Sequence, residues 1–268
     1  MHEHAAYQGL IMIFDSHAHY DDEQFDGDRD ELLRSMHENG IERIVNIGAD
    51  LASTRRSLAL AEKYDFIWAA AGVHPSDVEG LTENDLEELR ALSAHERCVA
   101  VGEIGLDYYW VKEPDKRAEQ RHWFVRQMDL ARETGLPIVI HSREAAKDTY
   151  DIMKAEDAGS IGGVVHCYSY SVEMARDFLN MGFYLGIGGV LTFKNAKKLR
   201  EAVEYLPLSA LVLETDAPYL TPEPFRGKRN CSSYLTYVAE KIAEVKALTP
   251  EEVCEACWEN ACRLFRLS

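Results

Sequence analysis

Positive charge is scarce in this sequence: 29 lysines and arginines face 46 aspartates and glutamates over 268 residues, a formal net charge of −17. That balance excludes adhesion to nucleic acid through a broad basic footprint. Phosphodiester chemistry on such a chain needs a local site, with cations to offset its own carboxylates. Long apolar runs are missing too. None approaches the ~20 residues that span a bilayer, so no membrane partner is expected. Met1–Phe14 lacks the basic start and small-residue cleavage site of a signal peptide, and a cytoplasmic protein is expected. Neither a G-x-G-x-x-G nor a Walker pattern occurs, and no G-x-S-x-G nucleophile elbow. Of the six cysteines, Cys254 and Cys257 form a C-x-x-C without a second pair or a nearby histidine. In a helical stretch this reads as buried helix cysteines rather than a zinc or redox motif.

What is present is a globular composition, 46% hydrophobic and 28% charged, with enough length to bury a core without staples. Short β-branched runs alternate with amphipathic stretches. Strands are expected at Leu10–Ser16, Arg43–Ile47, Phe66–Val73, Cys98–Glu103, Pro137–His141, Gly162–His166, Phe183–Ile187 and Leu211–Thr215. Helices are expected between them, one of them Arg143–Lys154 with Ser142 as its N-cap, and a final one at Pro250–Phe265 with Thr249 as N-cap and Glu252 completing a capping box. Gly40, Gly135, Gly159 and Gly182 each follow a helical stretch, as a stop glycine should. The strands read as continuous apolar runs, the mark of parallel strands buried on both faces. Eight β-then-α units over this length fit a (β/α)8 TIM barrel with an extra C-terminal helix, in one domain over 1–268; a doubly wound open sheet is the alternative. Residues 1–11 fit no element and are taken as an extension or tag, with Met12 as the natural start.

Five of the ten histidines fall at or just past a predicted strand's C-terminal end: His17, His19, His74, His141 and His166. That rim is where barrel active sites are built. Asp15, Glu103 and Asp216 sit at the same level. His17 and His19, two apart on extended backbone, point to one side and can share a cation. His141 and His166 end neighbouring strands and suit a second. Glu103 can offer one oxygen to each, and Asp216, where strand 8 closes on strand 1, can reach the first. Four imidazoles with two carboxylates suit Zn²⁺ or Mn²⁺ better than Ca²⁺. His74, ahead of Pro75, is assigned to substrate contact. The basic island Arg226-Gly-Lys228-Arg229 and Arg143 are candidates for phosphate oxygens. Tyr108-Tyr109-Trp110 beside Glu103 either stacks a base or packs its own loop.

These segments resemble the TatD family of metal-dependent deoxyribonucleases: Asp15-Ser-His-Ala-His19, Gly102-Glu-Ile-Gly-Leu-Asp-Tyr108, Ile140-His-Ser-Arg143, His166-Cys-Tyr168, Glu214-Thr-Asp-Ala-Pro-Tyr-Leu220 and Arg226-Gly-Lys-Arg-Asn230. The resemblance runs from Ile13 to Phe265 with the motifs in the family's order. It implies an amidohydrolase-like TIM barrel holding one or two divalent ions (Zn, Mn or Mg). His17 and His19 would bind one, His141 and His166 the other, Glu103 would bridge, and Asp216 would bind metal and handle the proton of the attacking water. Where the family continues Arg-Asn with Glu-Pro, this chain has Cys231-Ser232, which opens the question of the local loop geometry and substrate preference.

The expected function is phosphodiester hydrolysis by a monomer, at 3′ ends of DNA or on single strands in the 3′-5′ direction, or on a small phosphodiester. Arg226, Arg229 and His74 would orient the substrate. One alternative is an amidohydrolase or lactonase on the same barrel; the strand-4 bridge there is often a carboxylated lysine, where this chain offers Glu103. The other is a non-catalytic metal or nucleic-acid binding protein, against which six ligands shared by two ions leave open coordination positions.

Overall fold

The structure, a computed structural model, describes residues 12–268; the expected extension over residues 1–11 lies outside them. Eight strands lie side by side in sequence order, every pair parallel: β1 (Ile13–Ala18), β2 (Ile41–Ile47), β3 (Ile67–Ala71), β4 (Cys98–Asp107), β5 (Ile138–Arg143), β6 (Gly163–Val165), β7 (Tyr184–Ile187) and β8 (Leu211–Leu213). Each is followed by its crossover helix: α1 (Arg29–Glu38), α2 (Leu51–Lys63), α3 (Glu83–Ser93), α4 (Pro114–Thr134), α5 (Ala146–Ala155), α6 (Val172–Asn180), α7 (Lys197–Tyr205) and α8 (Leu235–Lys246). The extra helix, α9 (Pro250–Phe265), begins with the expected capping box of Thr249 and Glu252. This is a (β/α)8 barrel.

The seam between β8 and β1 is narrow. It consists of one parallel bridge, Ala18 to Ala217, with Asp216 N–H donating to His17 O (2.9 Å) and His19 N–H to Ala217 O (2.7 Å). Strand side chains alternate between two packed cores, as period-2 geometry requires. Ile138, Ile140, Leu211 and Leu213 join the layer under the helices. Phe14, Val45, Ala70, Ala100, Val139, Val164 and Val212 point the other way, where they pack with Ala261, Leu264 and Phe265 of α9. The last helix therefore closes the barrel interior, and its bottom position leaves the opposite, C-terminal rim open. Cys254 and Cys257 are buried in the outer layer of this packing, and burial pushes both thiols up, so neither is a reactive pair.

Three sequence expectations are corrected by local geometry. Strand β4 does not stop at Glu103 but runs to Asp107, pairing Ile104 with Ile140 and Asp107 with Arg143. Gly105 permits this: its φ is +144°, and a Cβ there would sit 1.9 Å from His141 O. Arg143 and Ser142 belong to β5 rather than to a helix start, because that ladder continues through them; α5 begins only at Ala146. Gly159 is not a helix stop either. Asp157 takes the left-handed conformation after α5 (φ +49°), and Gly159 lies in a short 3-10 turn.

The Phe265 ring packs at a tilt against Phe14, with centroids 5.8 Å apart, inside the closed end. Phe265→Ala should therefore cost about 3–5 kcal/mol of stability, read as a shifted midpoint in urea denaturation.

Candidate metal centre

Glu103 stands at the middle of the rim because β4 bulges there. The β4–β5 register shifts between Val101 and Ile104, and a bulge re-aims the side chain it carries. Gly102 lets the bulged backbone lie against β5, since a Cβ on it would meet Val139 Cβ at 2.6 Å. The two carboxylate oxygens then face different histidines. Oε2 lies 3.4 Å from His17 Nε2 and 3.8 Å from His19 Nε2. Oε1 lies 2.6 Å from His141 Nδ1 and 3.3 Å from His166 Nε2. Asp216 Oδ1 approaches His19 Nε2 (3.4 Å) and His17 Nε2 (3.6 Å) from the β8 side. All six residues predicted as metal ligands thus meet in one place.

The donor set fits divalent cations. The Nε2 atoms of His17 and His19 lie 3.1 Å apart, an approach that suits two lone pairs directed at one ion. Ligand atoms of His17, His19 and Glu103 lie within 4.8 Å of one another, as do those of Glu103, His141 and His166, and those of His17, His166 and Asp216. Burial and neighbouring charges shift the groups in different directions: burial, with His166 beside it, pushes His17 down and keeps it neutral. Burial opposes ionisation of Glu103, but the imidazoles of His166, His17 and His141 outweigh it and hold its carboxyl well below the usual range. Burial likewise opposes a charge on His166, yet Glu214 and Glu103 raise it to about 10.

Around these groups lies a supporting layer that sequence reasoning missed, with the exception of Asp15. Asp107 reaches His141 Nε2 at 3.2 Å, and Glu214 reaches His166 Nδ1 at 3.2 Å; carboxylates behind imidazoles fix ring orientation. Glu214 also accepts the Cys167 N–H (2.5 Å). Ile47 O takes the His19 Nδ1 proton at 3.0 Å. Asp15, wholly buried, accepts from His17 N–H (3.2 Å), Thr215 N–H (3.0 Å), Thr215 Oγ1 (2.6 Å) and Ser232 Oγ (2.6 Å). Burial raises its pKa to about 6 against those donors. Both Asp107 and Glu214 lay inside motifs already noted. The extension of β4 brings Asp107 to the centre, and Glu214 reaches it from the end of β8.

Ser232 answers the question raised by the departure at Cys231-Ser232. Its hydroxyl bonds Asp15 and, at 2.7 Å, the Tyr20 hydroxyl, while its N–H donates to the same Tyr20 oxygen at 2.8 Å. A proline there could supply neither group. The loop after β8 is therefore tied to β1 through a serine peculiar to this arrangement.

The centre floors an open cavity of about 360 Å³. His74 stands on its wall, 4.0 Å from Glu103 Oε1 and edge-on to His141. Its Nδ1 accepts the Ser76 N–H at 3.1 Å, so Nε2 carries the ring proton. Burial, with His141 beside it, lowers its pKa to about 4 and keeps it neutral. The arginines predicted to meet substrate do not line this cavity. Arg229 is held by both oxygens of Asp28 (2.8 and 2.6 Å) and by Gln24 O, joining the loops after β8 and β1. Arg226 lies over the Phe193 ring at 4.1 Å, and Arg143 over Tyr109 at 4.1 Å. Among the described residues the arginine that lines the cavity is Arg56, paired with Asp21 at 3.1 Å.

A parallel barrel with histidines and carboxylates gathered at its C-terminal rim defines a metal-dependent hydrolase. Residues 14–266 match the family model for TatD related DNase. The chain is 49% identical over 257 residues to an uncharacterized metal-dependent hydrolase, YabD, of Bacillus subtilis, covering 96% of this chain and 100% of that one. It is 32% identical over 258 residues to the 3'-5' ssDNA/RNA exonuclease TatD of Cronobacter sakazakii, covering 94% and 97% respectively. The crystal structure of the TatD homologue YjjV from Escherichia coli superposes with a TM-score of 0.90 at 32% identity, over 97% of this chain and 100% of that one. The chain belongs to the TatD family. No helix among the described residues is long and apolar enough to cross a membrane.

Ser232→Ala strips one donor from buried Asp15 and one partner from Tyr20. It should lower stability by about 1–3 kcal/mol, measured by urea denaturation. Ser232→Pro, which also removes the N–H, should cost more.

Proposed function

We propose that this protein hydrolyses phosphodiester bonds of nucleic acid, with water attacking at the Glu103 centre. The observation that carries this reading is the division of the Glu103 oxygens between the His17–His19 pair and the His141–His166 pair. His17, His19, Glu103 and Asp216 would hold one divalent ion, and His141, His166 and Glu103 a second. Zn²⁺, Mn²⁺ and Mg²⁺ are the candidates. Such ions lower the pKa of bound water and offset the phosphate charge.

The chain's own groups divide the remaining work. Asp216 has 16% of its side chain exposed to the cavity, against 4% for Glu103. Asp216 is thus the carboxylate that water can reach, and it takes the proton of the attacking water. His74 presents Nε2–H to the cavity and donates to a phosphoryl oxygen. Arg56, on the cavity wall, is a fork-shaped donor for a second oxygen. The name of the Cronobacter relative supports nucleic acid as the substrate and a 3′ end as the place of cutting.

Two measurements test this. Asp216→Asn should lower kcat by about 10²–10⁴-fold while the protein still carries metal by elemental analysis; wild-type turnover would refute the base assignment. Chelation should abolish release of nucleotides from single-stranded DNA, duplex DNA and RNA, and titration of Zn²⁺, Mn²⁺ or Mg²⁺ should restore it. Absence of turnover on all of these and on small phosphodiesters, with metal bound, would refute the function.

A further inference from the structure

Beyond the cavity, the loop after β4 carries an aromatic pair that the fold leaves exposed. Tyr109 is 41% exposed and Trp110 67%, the highest value for a large hydrophobic side chain among the described residues. Yet the loop is firmly held. Asp107 Oδ1 accepts the backbone N–H of Tyr109 (2.9 Å) and of Trp110 (3.0 Å), and Oδ2 of the same carboxylate lies 3.2 Å from His141 Nε2. One side chain therefore fixes both the aromatic tip and an imidazole of the centre.

Cations complete the patch. The Arg143 guanidinium lies 4.1 Å from the Tyr109 centroid and 5.8 Å from that of Trp110, and the Lys112 ammonium lies 5.7 Å from Tyr109. Arg143 is two residues beyond His141 on β5, so it leaves the strand on the same side. Lys112 has a carboxylate partner in Glu144 at 3.5 Å. Arg143 has neither an ion pair nor a side-chain hydrogen bond within the described residues, and its donors remain available. The two rings meet edge to face at 4.7 Å, and at 67% exposure most of the indole stays open to solvent.

A flat exposed aromatic face beside an unneutralised guanidinium matches the two halves of a nucleotide, base and phosphate. A duplex keeps the faces of its interior bases stacked, so apart from its last pair it cannot use such a face, whereas every base of a single strand can. We infer that Tyr109 and Trp110, with Arg143, form a base-stacking subsite for single-stranded nucleic acid, seating a nucleotide next to the one whose phosphodiester lies over Glu103. The place of the cut rests on the function proposed above; the binding of a single strand does not.

The test uses the full chain loaded with Mn²⁺ and three forms: wild type, Trp110→Ala and Trp110→Phe. Fluorescence anisotropy reads binding of a labelled phosphorothioate dT10 and of a ten-unit abasic strand; nucleotide release from ordinary dT10 reads turnover. Trp110→Ala should weaken dT10 binding about 10- to 100-fold, Trp110→Phe should restore most of it, and neither should alter the weak binding of the abasic strand. Equal dT10 affinity of wild type and Trp110→Ala would overturn the subsite. An equal loss on the abasic strand would also overturn it, since the loop would then act through shape or charge. If wild type binds dT10 through Trp110 but releases no nucleotide, the subsite stands and the hydrolytic function falls. If it releases nucleotides with Trp110→Ala binding unchanged, the opposite holds.

Discussion

Everything at the rim depends on one buried carboxylate shared by four imidazoles. An isolated ionised glutamate in that position would carry a desolvation cost of several kcal/mol. Glu103 is only tolerable because cations, or charged imidazoles in their stead, meet both of its oxygens. The fold makes a corresponding investment in the backbone that presents it. A bulge at Gly102–Glu103, a second glycine at Gly105 and a strand continued to Asp107 are all needed to aim that side chain across the barrel mouth. Structural regularity is given up at the place where the chemistry is concentrated.

The second organising constraint is the narrow seam. β8 is three residues long and meets β1 through a single bridge. Side chains do what a ladder would otherwise do. Asp15 on β1 gathers Thr215 and Ser232, Asn230 Nδ2 donates to Thr215 O at 2.9 Å and to Tyr219 O at 2.7 Å, and Arg229 grips Asp28. This explains why the basic island of the sequence is only partly available to substrate. Its position after the last strand places it where the barrel has to be joined, and Arg229 serves that purpose through a partly buried bidentate pair.

Much of this was legible in the residues themselves. The repeating β–α pattern set the barrel, since continuous apolar runs such as Ile138-Val139-Ile140 have few other uses. The rim histidines followed from strand order alone, because a parallel barrel puts every strand's C-terminal end at one mouth. The apolar run ends at Glu103, and nothing along the chain shows that Gly105 lets β4 pair with β5 as far as Asp107. Asp107 and Glu214 escaped notice for the same reason: their roles are to stand behind His141 and His166, and no spacing along the chain reports that. The arginines were assigned by charge type, whereas their partners, Asp28, Phe193 and Tyr109, lie far away in sequence.

The seam has a consequence for how the molecule comes into being. His17 and His19 emerge from the ribosome first, and Asp216 together with the Asp15 partners Thr215 and Ser232 emerges about two hundred residues later, so the contacts that complete the centre are among the longest-range in the chain. Such contacts repay their loop-closure entropy only late in folding. A nascent chain grown just past β6, through His166, would own every imidazole of the centre but neither its last carboxylate nor the helix that plugs the opposite end. Full assembly of the rim cluster is thereby reserved for a chain that has grown past β8, and a product truncated before it would lack Asp216 and the Asp15 partners.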